Sequence, residues 1–153
     1  MVAGNNAQRN FTLPVPDPPK SLWGEMGQDT QTDRQAKALG FNCLNYQNAS
    51  ATEGSLYRHF LPDKAFIDAN CPDGIRFELM FPSCWDGKQA NTSDNSHVAY
   101  PDLVMTGDCP DDHPVRLPSL FFETIWDMAA FGDVDGDFII SNGDPTGMYL
   151  LPS

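Results

Sequence analysis

Residues 75–81 read Ile-Arg-Phe-Glu-Leu-Met-Phe, and their alternation predicts a β-strand. Ile75, Phe77, Leu79 and Phe81 recur with a period of two and define one apolar face, with Arg76, Glu78 and Met80 opposite. Pro72-Asp73-Gly74 before the run and Pro82 after it punctuate both ends. Working outward, shorter strands are expected at 97–100, 115–117, 120–125 and 138–141, separated by Pro, Gly, Asp and Asn. Many short strands with turn residues between them predict an all-β domain, sandwich or jelly-roll-like, with short helices and long loops. The run DTQTDRQAKAL at 29–39 predicts one such helix, with Thr30 or Thr32 as N-cap and Gly40 at the C-terminal cap. Pro14, Pro16, Pro18 and Pro19 make residues 10–19 an extended arm expected to lie on the surface.

A chain of 153 residues has the length of one domain, and 41 % hydrophobic content supports a core. With 21 acidic against 9 basic side chains, the net charge is −12, a surface that repels phosphate backbones; nucleic acid is not an expected partner. No apolar run reaches the ~18–20 residues that a membrane-crossing helix needs. Cys43, Cys71, Cys84 and Cys109 form an even set that admits two disulfides in three pairings and matches no Cys-x-x-Cys metal pattern. Asn10, Asn48 and Asn91 each open an Asn-x-Ser/Thr sequon, where chance gives about one. Disulfides and sequons together point to an exported protein, although Met1-Val2-Ala3-Gly4 lacks the features of a leader.

Three places carry candidate chemistry. In FPSCWDG, residues 81–87, and SHVAYP, residues 96–101, Trp85 offers an aromatic face, Asp86 a carboxylate and His97 an imidazole. Such a set holds a sugar by stacking and hydrogen bonding, or transfers protons. The same residues also suit plain structural roles: Trp85 in the core, Asp86 in a turn, His97 bonded to backbone. On the central strand, Arg76 and Glu78 share a face; lining a groove, Glu78 exchanges protons with Arg76 setting its charge, and otherwise the two form an ion pair. Glycoside hydrolysis needs a second carboxylate, for which Asp86, Asp144 and Glu123 are candidates.

The third place, GDVDGDFIISNGDPTG at 132–147, partly matches a calcium loop from Asp133, through Asp135 and Asp137, to Asp144. It has Phe138 where the loop needs glycine, so a polar turn followed by a strand is the expectation. His59, His97 and His113 show no mutual ligand spacing, which argues against copper or zinc held by them alone; the cofactor is left open.

RHFLPD (58–63), CPDGIRFELMFPSCWDG (71–87), SHVAYPD (96–102), GDCPDDHPVRLP (107–118) and SNGDPTG (141–147) together resemble the fungal domain of unknown function numbered nineteen ninety-six. The resemblance implies a secreted or wall-associated protein, sometimes carrying a WSC carbohydrate-binding module. Members start with a leader and a histidine-containing portion, and continue beyond the SNGDPTG-like motif with a His- and Asp-containing stretch. Against that pattern, 1–147 is expected to be part of one domain and 148–153 a non-native tail, since Gly147-Met148-Tyr149 is encodable by a splice-donor-like sequence. The functional expectation is action on wall polysaccharide. The alternatives are a non-catalytic carbohydrate-binding or adhesion module, or an inactive fragment, and oligomeric state is left open.

Overall fold

The computed structural model describes residues 11–140. They form two three-stranded antiparallel sheets with two short helices, an all-β domain as expected. The first sheet has strand order β1-β2-β6, with β1 at Leu39–Cys43, β2 at Ile75–Met80 and β6 at Phe121–Trp126. The second has order β4-β3-β5, from Cys84–Trp85 (β3), Val98–Ala99 (β4) and Val115–Arg116 (β5).

The central run of the sequence is thus the central strand of the larger sheet. Its register pairs Phe41 with Phe77 and Cys43 with Ile75 on one side, and Phe77 with Thr124 on the other. Ile75, Phe41 and Cys43 pack with Ile67, Leu61, Cys71 and Met128, which places helix α2 (Lys64–Asn70) against this face. Burying each large side chain here contributes about 1.5–3 kcal/mol. Asp63 starts α2 by accepting from the Phe66 N–H at 2.7 Å, and the Cys43–Cys71 disulfide ties its end to β1. A second bridge, Cys84–Cys109, braces the smaller sheet, whose two-residue strands offer little ladder of their own. Trp23, Ala38, Met80, Tyr100 and Val104 form the other apolar cluster, at the end of β2.

Four expectations need correction. Helix α1 spans Gln31–Lys37 with Thr30 as its cap, but it ends at Ala38, and Gly40 lies inside β1. The arm carrying the prolines is not merely superficial: Asp17 reaches inward to the buried Lys37 and His59, and Thr12 is buried. Met80 belongs to the core rather than to a polar face, because it packs beside Trp23 and Tyr100. Over 138–140 no strand forms; Phe138 and Ile140 instead pack on the α2 cluster, and Ser141 lies outside the described residues.

Strand β6 is the outer edge of its sheet. Phe122, Ile125 and Trp126 are more than half exposed, at 53 %, 59 % and 56 %, on both faces of the strand. Among the described residues no helix is long and apolar enough to cross a membrane.

Candidate functional site

Glu78 is sunk into the sheet because its neighbour across the ladder, Gly40, has no side chain. A Cβ at Gly40 would stand 2.8 Å from the Glu78 Cβ, closer than real contacts allow. The carboxylate fills that space, its side chain 0 % exposed, and accepts from Asn42 Nδ2 at 2.7 Å, the Leu56 N–H at 2.5 Å and Arg76 Nε at 2.6 Å. Arg76 Nε also lies 3.2 Å from Glu123, the residue opposite Glu78 on β6. Burial pushes the Glu78 pKa up, aided by the Glu123 carboxyl and opposed by the Leu56 N–H and Arg76. Arg76 and Glu78, on one face of β2, form an ion pair. Asn42, the Leu56 N–H and Arg76 together surround the Glu78 carboxylate.

RHFLPD owes its residue types to structure as well. Arg58 grips the buried Glu53 through two nitrogens, at 2.5 and 3.2 Å, while Glu53 accepts from the Cys43 N–H at 2.9 Å. Both His59 ring nitrogens face acceptors, the Leu39 carbonyl at 2.7 Å and Asp17 at 3.1 Å.

In the smaller sheet, Trp85 and Val98 pair across β3 and β4, and the Asp86 N–H donates to the His97 carbonyl at 3.1 Å. Their side chains then part. Asp86 accepts from the N–H groups of Lys88 and Gln89 at 2.8 and 3.1 Å, bonds that lower its pKa. His97 Nδ1 meets the Thr92 hydroxyl at 3.0 Å, and the Trp85 indole N–H donates to the Gln89 carbonyl at 2.6 Å. Trp85 is half-buried rather than enclosed in the core. His113 joins the same end of the molecule, bonded to the Ser96 carbonyl at 2.9 Å and ion-paired with Asp112 at 2.9 Å. Burial opposes its charge, but Asp112, the Ser96 carbonyl and Asp86 outweigh it, so its pKa is raised.

Asp86 and His97 are thus neighbours through backbone, and Arg76, Glu78 and Glu123 form a separate group; among the described residues no hydrogen bond or ion pair joins the two sets. Asp144 and Asn10, like the tail at 148–153, lie outside the described residues. Asp133, Asp135 and Asp137 sit in an exposed turn, and no group of three or more His, Cys, Asp or Glu among the described residues is placed to hold a metal.

A groove of about 180 Å³ opens between α1 and the 92–98 segment, lined by Gln31, Gln35, Asp94, Asn95, Ser96 and Tyr100 among others. Gln31 fixes its two walls together: its amide donates to the Tyr100 carbonyl and accepts from the Tyr100 N–H, both at 2.8 Å. Asp94 accepts from Ser96, which lowers its pKa to about 2. The Gln35 side chain makes no hydrogen bond among the described residues. None of these residues was singled out from sequence. The cue available there was only a density of Asn, Asp, Ser and Thr at 91–96, which reads as any loop.

Fold and groove define a small disulfide-braced all-β domain with a cleft of mixed polar and apolar lining between a helix and a loop. The family model for the domain of unknown function DUF1996 matches residues 1–150, and the chain belongs to that family. Nothing among curated proteins or solved structures matches it.

Proposed function

We propose that this chain is an exported fungal wall-associated domain that binds polysaccharide without cleaving it, in the groove between α1 and residues 92–98. The groove carries the reading. Its lining sets amide, hydroxyl and carboxylate groups, which match sugar hydroxyls, beside the apolar surface of Pro82, Val98 and Tyr100, and hydrogen bonds with Ser96 and Thr92 favour the ionised form of Asp94. At about 180 Å³ it is smaller than the roughly 300–1,000 Å³ of sites that enclose a whole ligand, which suits one unit of a longer chain. A net charge of −12 favours neutral over anionic polymers. Two closed disulfides support an oxidising compartment. Sedimentation with insoluble neutral glucans and chitin, followed by calorimetry with soluble oligosaccharides, tests it. Binding weakened about tenfold or more by Asp94→Ala and Gln35→Ala is expected, and wild-type affinity in both variants overturns it.

A hydrolytic reading draws on one observation, the Glu78–Glu123 cross-strand carboxyl pair, in which Glu78 has a raised pKa and Glu123 is 43 % exposed. Release of reducing sugar that disappears in Glu78→Gln and Glu123→Gln would establish it in place of the binding module. The enclosure of Glu78 by Asn42, Leu56 and Arg76 argues for binding alone.

A further inference from the structure

We propose that Asn48 and Asn91 are both N-glycosylated in the mature protein. The inference rests on the export part of the reading above and not on what the groove binds. Three observations meet at these two residues. Each opens a sequon, Asn48-Ala49-Ser50 and Asn91-Thr92-Ser93. Each is exposed and lies outside helix and strand, Asn48 in the turn after β1 and Asn91 in the loop between β3 and β4. Each keeps its amide nitrogen free: Asn48 uses only its side-chain oxygen, which accepts from the Ser50 hydroxyl at 2.8 Å, and Asn91 makes no side-chain bond among the described residues.

The contrast with other asparagines is chemical. Asn42 and Asn70 spend their amide nitrogens on Glu78 and on the Phe66 carbonyl, at 2.7 and 2.8 Å, so a substituent there would break a bond. A glycan on Asn48 or Asn91 displaces nothing and points to solvent. Exposed neighbours on both sides, Tyr46 to Ala51 and Gln89 to Asn95 apart from the half-buried Thr92, leave room for it. Both cysteine pairs close within the same stretch of chain, Cys43–Cys71 and Cys84–Cys109 flanking the two sites, as suits the oxidising secretory compartment where the modification occurs.

In the modification, a lipid-diphosphate-linked oligosaccharide supplies the sugar. The Asn Nδ2 forms a bond to the anomeric carbon, the bond from that carbon to the diphosphate oxygen breaks, the lipid diphosphate leaves as the anion, and the amide gives up one proton. No electrons are transferred.

The test is expression of the full chain behind a cleavable leader in a yeast secretory host. Medium and microsomal fractions are digested with a glycan-releasing amidase in heavy-oxygen water, which converts each formerly glycosylated Asn to heavy-labelled Asp. Label at both Asn48 and Asn91 is expected, with one mobility step lost in Asn48→Gln and another in Asn91→Gln. Ser50→Ala is expected to remove the Asn48 step while keeping its asparagine. An unlabelled Asn48 or Asn91 peptide from chain with both disulfides closed overturns the inference while leaving polysaccharide binding standing. Label at both sites without polysaccharide binding has the opposite meaning.

Discussion

The ammonium of Lys37 lies 2.6 Å from the carboxylate of Asp17, and the Lys37 side chain is 1 % exposed. Gln28 Oε1 accepts from the same nitrogen at 3.0 Å, and the Trp23 ring lies 4.6 Å beneath it. A buried cation is tolerable only when so completely partnered, and its principal partner comes from the proline-containing arm, 20 residues earlier in the chain.

Removing that partner should therefore be severe. Asp17→Asn is expected to cost about 3–5 kcal/mol in urea unfolding, because Lys37 and His59 both lose their carboxylate. Asp17→Asn combined with Lys37→Met is expected to recover much of the loss. Burial raises the Asp17 pKa, but His59 and Lys37 more than offset this and leave it lowered. The stability it confers is present above its ordinary value of 3.8 and is lost as pH falls through the depressed folded value. A wild-type acid transition absent from the double variant would show this.

Glu78 has the opposite sign. Its raised pKa means that the folded state holds the proton more tightly than the unfolded chain, so the contribution is full below 4.5 and fades as pH rises through the folded value. Glu78→Gln lacks this decline. The stability advantage of wild type over the variant should shrink as pH rises above 4.5 in parallel thermal melts.

Gly40→Ala drives a methyl group into the Glu78 side chain. A loss of about 1–3 kcal/mol is expected. Glu78→Ala in the same chain should relieve part of it, a coupling measurable by a double-mutant cycle. Equal losses in the presence and absence of Glu78 would mean that the close approach is not the cause.

The Cys84–Cys109 bridge closes a loop of 25 residues, and its removal as a Cys→Ala pair is expected to cost about 3 kcal/mol. Hydrogen exchange should rise first in β3, β4 and β5, whose pairs are only two residues long, with β1 and β2 still protected.

Much of this architecture was legible in the residues. Strand β2 announced itself by period two between a Pro-Asp-Gly turn and Pro82, and α1 by the Thr30 cap. Strand β1 escaped notice because Gly40 invited reading as a helix stop, although Leu39, Phe41 and Cys43 alternate with Gly40 and Asn42. Helix α2 escaped because its only bound is Asp63, within a segment read for its motif rather than its capping. The inward pull of Asp17 has no local trace at all, since the buried Lys37 and His59 that demand it lie 20 and 42 residues away. For the groove, two walls distant in sequence had to meet before either had meaning; Gln31 and Tyr100 are 69 residues apart.

Strand β6 leaves Trp126 half open to water while Trp23 is enclosed in the core. The two indoles are consequently built-in optical probes of different things. Trp126 should emit at long wavelength and be readily quenched by iodide, shifting blue when any further strand or surface is laid along β6. Trp23 should stay blue and protected until the whole domain melts, so with the half-buried Trp85 replaced by Phe, one fluorescence spectrum separates coverage of the edge from loss of the fold.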